Sequence, residues 1–216
     1  MENTEPLFAD DPSSDTKTAI LKATFDALSE HGYADLTISR ISQNFSKSEG
    51  LVFYHYNNKD EILLDLLDYL LEQFVQVDMP IARDGDPETR LRRLFNNVIP
   101  ETGEQQIRDY ERVLMELRMR AAQDKDFEEC FNRFQNKFHE IIMAMVQDGI
   151  ESGDFRDGDP EQIADFLIAL ISGGIFDRVT AGVSRPIQSE LDNYIEYRLL
   201  ADKEHKHNGE EPDDIS

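Results

Sequence analysis

Between Thr37 and Lys59 the chain reads TISRISQNFSKSEGLVFYHYNNK, which has room for two short helices about a tight turn and for little else. Thr37 offers a hydroxyl N-cap with Ile38 and Ile41 three apart on an apolar face, and Ser48 offers a second cap ahead of Leu51 and Val52. Phe53, Tyr54, His55 and Tyr56 follow, then Asn57, Asn58 and Lys59. Asp60, Glu61, Ile62 and Leu63 open a long helix with an Asn-x-x-Glu start. Two helices crossing at a turn can set the second into a DNA major groove, so the helix beginning at Ser48 is the expected reader.

From Asp60 onward almost every segment has helical period and none alternates like a strand, so the class is all-α. A helix over about 59–77 buries Ile62, Leu63, Leu66, Leu67, Leu70, Leu71 and Phe74, and a connector with Met79, Pro80, Gly85 and Pro87 ends it. Further helices are expected over about 88–98, 104–122, 124–152, 160–180 and 186–200. In the longest, Phe127, Phe131, Phe134, Phe138, Ile141 and Met145 make one continuous core stripe. The string RDGDPE occurs at 83–88 and 156–161. Asp as cap, Pro at the first position and Glu at the positive end of the dipole make these two helix starts, not a duplication. Residues 1–15 and 201–216 are polar and acidic and read as mobile arm and tail, around a 16–63 head and a 64–200 body.

The head resembles the DNA-binding domain of the tetracycline-repressor (TetR) family of transcriptional regulators. That pattern is a first helix ending in Gly-Tyr, then Thr-x-x-x-Ile-Ala, a Gly-Val-Ser turn, x-Gly-x-Leu-Tyr-x-Tyr/His-Phe, and a Lys opening the fourth helix. His31-Gly32-Tyr33, Thr37, Ile41, Ser48, Gly50, Val52, Phe53, His55, Tyr56 and Lys59 stand at matching positions, and Gly153-Asp154-Phe155-Arg156 resembles a turn of the family's regulatory domains. Ser42, Ser46 and Lys47 replace the Ala, Gly and Val. Ser46 must then take a positive φ without glycine's freedom, or the turn must differ. The resemblance implies about nine helices, a helix-turn-helix head on a helical ligand-binding and dimerisation body, and phosphate contacts for Tyr54, His55 and Lys59.

Charge opposes that reading at first sight, because 45 acidic and 22 basic residues give a net −23. Residues 1–15 hold five acids and no base, 16–63 six acids and five bases, and 64–216 the remaining 34 and 17, hence −5, −1 and −17. Four of the eight lysines, Lys17, Lys22, Lys47 and Lys59, lie in the middle segment, so the acidity nearly vanishes where DNA would touch. A dense carboxylate surface suits a high-salt, halophilic cytoplasm, where repulsion is screened within ~3 Å and recognition leans on base edges and shape. An ordinary acidic surface is the other reading. Cys130 is alone, no apolar run has membrane-spanning length and the N-terminus is no signal peptide, which together point to the cytoplasm.

Within the head, Lys47 and Lys59 are phosphate candidates, Lys59 beside the free N–H groups of its helix. Ser48, Glu49, Gly50, Leu51 and Phe53 begin the reader: Gly50 lets the backbone approach, Leu51 suits a thymine methyl, and Glu49 either accepts from cytosine N4 or is merely solvated. Arg40 reaches a phosphate or pairs with a nearby acid, and Thr37 both caps and contacts phosphate. Ile38, Ile41, Phe45, Val52 and Tyr56 are head core. A ligand cavity among helices four to seven would be lined by Phe74, Phe95, Val113, Leu117, Phe134, Phe138 and Phe166, with Arg118 or His139 as polar contacts. The wide apolar arc of helix eight, with Gly173 and Gly174 inside it, and the apolar positions of helix nine point to a two-fold interface of Phe166, Leu170, Gly173, Gly174, Leu191, Tyr194, Ile195 and Leu199. Such a dimer puts the readers about 34 to 36 Å apart and so demands a palindromic duplex site.

Enzyme signatures fail. His139-Glu140-Ile141-Ile142-Met143 has Met where a second zinc ligand belongs, Asp154, Asp157 and Asp159 miss calcium-loop spacing, and no phosphate-cradling loop or nucleophile elbow occurs. Neither metal nor cofactor is expected. The reading is a homodimeric repressor of transcription released from double-stranded DNA by a small-molecule effector. The alternatives are a sequence-tolerant architectural DNA-binding protein and an all-helical enzyme on the same scaffold.

Overall fold

The computed structural model describes residues 8, 16–75, 85–99, 105–182 and 187–201. Among these, nine α-helices follow one another without a strand: α1 Thr16–Asp35, α2 Ile38–Gln43, α3 Glu49–His55, α4 Lys59–Gln73, α5 Pro87–Val98, α6 Gln105–Ala121, α7 Lys125–Ser152, α8 Pro160–Ala181 and α9 Ile187–Tyr194. The end of α9 widens into a π-helical turn, Ile195–Leu199. The expected helix ends at 77 and 104, Met79 and Pro80 of the connector, and the tail from residue 202 lie outside the described residues.

Helix boundaries follow local chemistry. Gly32, at φ 72° and ψ 165°, interrupts the last turn of α1, a backbone setting that strongly favours glycine. The Thr37 hydroxyl accepts the Arg40 N–H at 3.2 Å, and the Asn58 side chain accepts the Glu61 N–H at 3.0 Å while Glu61 reaches back to the Asn57 N–H. Asp86 accepts from the Thr89 N–H at 2.8 Å and Asp159 from those of Glu161 and Gln162, each ahead of a proline in the first turn. Both hexapeptide copies are therefore helix starts. Ser48 holds the N-cap position of α3, but its hydroxyl makes no capping bond.

The turn between α2 and α3 departs from the glycine form. No non-glycine residue described here has a positive φ, so Ser46 keeps ordinary backbone geometry. The Asn44 and Phe45 N–H groups close the turn on the carbonyls of Ile41 and Ser42 at 3.1 and 3.3 Å.

Packing produces two cores. The first joins Ile20, Leu28, Ile41, Phe45, Val52 and Tyr56 of the head to Ile62, Leu66 and Leu70 of α4, Val113 and Leu117 of α6, and Phe127 and Phe131 of α7. It does not divide near residue 63, because α4 is shared between head and body. The second holds Leu91, Leu94 and Phe95 of α5, Phe138, Ile142 and Met145 of α7, Leu167 and Ile171 of α8, and Ile187, Leu191, Ile195 and Leu199 at the end of the chain. Phe134 packs on both, so the aromatic stripe of α7 is the spine between them. Phe8, in the stretch expected to be a mobile arm, is buried in the first core, stacked on Tyr69 at 5.1 Å and tilted against Phe25 at 5.7 Å.

The Gly153-Asp154-Phe155-Arg156 turn has a packing role. Gly153 takes a left-handed φ of 76°, and Phe155 folds onto Gly149, where an added Cβ would lie 2.1 Å from the ring. Phe155 forms an antiparallel bridge with Leu200, and the Arg156 N–H donates to the Leu199 carbonyl at 2.8 Å. The Arg156 guanidinium also reaches the Tyr197 carbonyl at 2.9 Å, so this turn fastens the end of α9.

Half of the residues expected to face a partner are occupied within the subunit. Leu191, Ile195 and Leu199 are buried in the second core, and a Cβ on Gly174 would meet the Ile187 side chain at 1.8 Å. Gly174 thus serves contact between α8 and α9 of one chain. The apolar arc of α8 is wide because it packs on both α7 and α9 before anything is left for the outside.

Candidate nucleic-acid interface

One face of the head is left bare. Residues 46–50 and Phe53 and Tyr54 are exposed in an unbroken patch at the start and outer side of α3, with Phe53 at 55% and Tyr54 at 82% exposure. An added Cβ on Gly50 would meet nothing nearer than the Ser48 hydroxyl at 4.0 Å, so the backbone there is open to close approach. Behind the patch, Val52 is buried and Leu51 packs partly on the head core, which holds α3 in place and leaves Leu51 only half available to a thymine methyl. Tyr54 meets His55 edge-on at 5.3 Å.

The expected phosphate ligands differ in their freedom. Lys47, in the turn, is exposed, with its ammonium 3.2 Å from the Thr16 hydroxyl. Arg40 donates to the Asp35 carbonyl at 2.5 Å and has the Asp35 carboxylate at 4.0 Å, so in this geometry it has found the nearby acid. Lys59 is more engaged: its ammonium donates to the carbonyls of Tyr33 and Leu36 at 3.4 and 3.3 Å and lies 4.5 Å from the centre of the Tyr33 ring. It ties the start of α4 to the end of α1, with one of three ammonium protons uncommitted by these two bonds.

Tyr33 is also gripped from the body. Glu116 of α6 accepts its backbone N–H at 2.6 Å, Arg120 of α6 lies 5.6 Å from its ring centre, and its hydroxyl donates to Asp60 at 3.0 Å. Burial first, then the Asp60 hydrogen bond, pushes the Tyr33 phenol above its ordinary range. One turn earlier on α6, Arg112 donates to the Ser29 carbonyl of α1, and Glu111 forms an ion pair with Arg178 of α8. Glu111 is 7% exposed, and burial raises its pKa against the opposing pull of Arg178. Helix α6 therefore joins α8 to the joint between α1 and α4. Sequence reasoning had Tyr33 only as a position of the family pattern and missed Phe8, Glu116 and Arg120, whose partners are set by tertiary packing.

The expected cavity residues separate into groups. Phe74, Phe134 and Phe138 meet as three rings, 5.5, 5.9 and 6.0 Å apart, with Phe95 in the same core. Val113 and Leu117 belong to the first core instead. Arg118 is exposed and does not face the interior, being turned about 100° around α6 from buried Leu117. His139 lies 3.2 Å from Asp165 of α8. Phe166 is 48% exposed and packs on Tyr194 at 4.8 Å, away from the three rings and on the outer face shared by α8 and α9. With Gly173, around which an added Cβ would meet nothing, and Phe176 at 49% exposure, Phe166 leaves an open apolar strip on α8. Burial raises the Cys130 thiol to about 12, and Asp68 adds to the shift, so it stays protonated near neutrality. Among the described residues no cluster of His, Cys, Asp or Glu has a metal-binding arrangement, and no helix is long and apolar enough to cross a membrane.

Comparison with known proteins agrees with this geometry. Residues 20–66 match the family profile described as bacterial regulatory proteins, tetR family, and residues 87–188 match that of the BetI-type transcriptional repressor, C-terminal. The HTH-type transcriptional repressor AcnR of Corynebacterium glutamicum is 22% identical over 87% of this chain and 94% of its own. The fatty acid metabolism regulator protein of Bacillus subtilis is 21% identical over 80% of this chain and 86% of its own. Among solved structures, a transcriptional regulator from Saccharomonospora viridis in complex with choline has a TM-score of 0.77 at 22% identity, covering 86% of this chain and 98% of its own. A TetR transcription regulator from Haloarcula marismortui reaches a TM-score of 0.79 at 32% identity, covering 86% of this chain and 99% of its own. A helix-turn-helix head that shares its core with a helical body, and likeness of that degree along most of both chains, place this protein in the TetR family of transcriptional regulators.

Proposed function

We propose that this protein represses transcription by binding a palindromic operator as a homodimer and that a small molecule releases it. The observation that carries the proposal is the bare patch of residues 46–50, Phe53 and Tyr54 on a buttressed α3, in a head whose charge is close to neutral. Ser48, Glu49, Gly50 and Phe53 face the bases. Thr37, Lys47, Tyr54, His55 and the remaining proton of Lys59 take phosphates, and Arg40 joins them by exchanging Asp35 for DNA.

The dimer uses the apolar strip of α8, Phe166, Leu170, Gly173 and Phe176, with Tyr194 of α9 beside it. Support comes from exposed aromatic rings on a strip with no polar interruption at Gly173. The effector lodges beside the three rings of Phe74, Phe134 and Phe138, at the end of α4, and its arrival shifts that helix and the Glu116–Tyr33 grip, which resets the distance between heads. A cytoplasmic location fits a DNA ligand, and adaptation to a high-salt interior fits the −23 charge.

The test is selection of binding sites from random duplex in concentrated KCl, followed by footprinting. Two protected half-sites about one helical turn apart are expected. Equal affinity for selected and random duplex overturns the operator reading in favour of sequence-tolerant binding.

A further inference from the structure

The head holds six acids, Asp26, Glu30, Asp35, Glu49, Asp60 and Glu61, and all but one are engaged. Asp26 takes the Lys22 ammonium at 3.1 Å, Glu30 lies 3.8 Å from His31 and Asp35 lies 4.0 Å from Arg40. Asp60 accepts from the Tyr33 hydroxyl at 3.0 Å and Glu61 from the Asn57 N–H at 3.0 Å. Glu49, the first residue of α3, is exposed, and among the described residues its carboxylate has no partner. An unpaired anion on a surface that meets a polyanion lowers affinity for every duplex alike. Phe53 stands four residues on, along the same side of the helix, and is 55% exposed. Helix α3 carries no Arg, Lys, Asn or Gln, so nothing on it makes the forked donor contact to guanine or the paired contact to adenine. We propose, on the basis of the DNA-binding reading, that α3 selects pyrimidines: the Glu49 carboxylate accepts from the N4 amino group of a cytosine, and the Phe53 ring packs on the methyl group of a thymine about two base-pair steps away.

An ionised carboxylate accepts hydrogen bonds and cannot donate them. On the major-groove edge guanine presents N7 and O6 and thymine presents O4, all acceptors, and adenine sets N7 beside its N6 donor. Cytosine shows its N4 donor without an acceptor of its own beside it, so Glu49 favours one base and is repelled by the edges of the others. The charge that weakens binding in general thereby sharpens the choice of site. Phe53 has no polar atom, and the apolar feature of a base edge is the thymine methyl. Leu51 packs partly on the head core, which leaves the methyl contact to Phe53. Four residues along a helix advance about 6 Å, against roughly 3.4 Å for each base-pair step, and this fixes the separation of the two bases. Gly50 between them has no side chain to hold the backbone off the groove.

Affinity of the full chain for the operator found by selection is read by fluorescence anisotropy in KCl. Each thymine of a half-site is replaced in turn by uracil, which removes the methyl group and nothing else, and each C·G pair by T·A, which turns the N4 donor into an O4 acceptor. One uracil is expected to weaken the parent about two- to fourfold, with the penalty abolished in F53A and kept in F53L. One C·G replacement about two steps from that thymine is expected to cost the parent about 5- to 150-fold. E49Q, whose amide both donates and accepts, should cut that cost to less than about threefold and bind every duplex more tightly. Affinity indifferent to every uracil overturns the proposal, as does a uracil penalty that survives in F53A. E49Q that tightens all duplexes but keeps the parent's base preferences also overturns it, leaving Glu49 as a partner of the helix dipole alone. Both side chains are exposed, so the variants keep the fold, and circular dichroism checks it. A parent that binds no duplex, or binds selected and random duplex alike, defeats the DNA-binding reading itself. A parent that prefers its operator and ignores these base changes defeats the pyrimidine assignment and leaves that reading standing.

Discussion

The carboxylate of Glu116 accepts the backbone N–H of Tyr33 at 2.6 Å, so α6 holds the head by the peptide that follows Gly32. A hydrogen bond to a charged acceptor contributes about 1.5 to 3 kcal/mol. Glu116→Ala is expected to speed amide exchange at Tyr33 by roughly tenfold or more and to alter operator affinity. Glu116→Gln, which keeps an acceptor, should fall between. Unchanged Tyr33 exchange in the alanine variant would remove Glu116 from the coupling route.

Lys59 joins α4 to α1 in this structure, and in the proposed function it also offers a proton to DNA. Lys59→Ala should lower the melting temperature through the lost carbonyl and ring contacts, the ring contact alone being worth about 0.5 to 1 kcal/mol. It should also weaken binding alike on all duplexes and flatten the logarithmic salt dependence by about one unit. A salt slope equal to that of the parent shows that Lys59 is a brace and not a phosphate ligand.

Two glycines one residue apart separate packing within a chain from packing between chains. Gly174 faces Ile187, so Gly174→Ala should destabilise by about 1 to 3 kcal/mol, while Gly173 faces open space and Gly173→Ala should gain up to ~1 kcal/mol of helix propensity. In the proposed dimer that same Gly173 substitution lifts the partner away. Sedimentation equilibrium should show weaker association of a more stable subunit. If Gly173→Ala associates as the parent does, the backbones do not approach there.

Glu111 and Arg178 link α6 to α8 in a largely buried pair. Glu111→Ala withdraws the carboxylate from a half-sequestered guanidinium, expected to cost about 2 to 3 kcal/mol in thermal or urea unfolding. A loss under about 0.5 kcal/mol would mean that Arg178 finds equivalent solvation.

The caps titrate. Hydrogen bonds from Gln162 hold the Asp159 carboxyl below its usual 3.8, and those from Thr89 do the same for Asp86. For a depressed carboxyl the contribution is present above the unfolded pKa and is lost as pH falls through the lower folded value. Asp159→Asn keeps an acceptor but no titration. The stability gap between parent and Asp159→Asn should be constant above about pH 5 and shrink below about pH 4. A gap that widens on acidification contradicts the assignment.

Helix starts were legible because a cap is a local event. Asp86 followed by Pro87, Asp159 by Pro160, and Asn58 with Glu61 each satisfy orphan amides within a few residues. The head core was legible for a similar reason, since Ile41, Phe45, Val52 and Tyr56 keep fixed offsets. Periodicity shows that a face is apolar but not what covers it. Leu191, Ile195 and Leu199 therefore read as an interface although α9 packs back on its own chain. Phe8, a lone ring in an acidic stretch, gave a faint signal. Glu116 gave none, because its partner is 83 residues away.

The bridge between Phe155 and Leu200 closes α8 and α9 into one covalently continuous loop whose ends are hydrogen-bonded together. Helices stitched in this way exchange with solvent as a single cooperative unit instead of fraying from the terminus. The strip that would meet a second copy is thus carried on two helices tied at both ends, and protection factors along 160–181 and 187–199 are expected to rise and fall in concert.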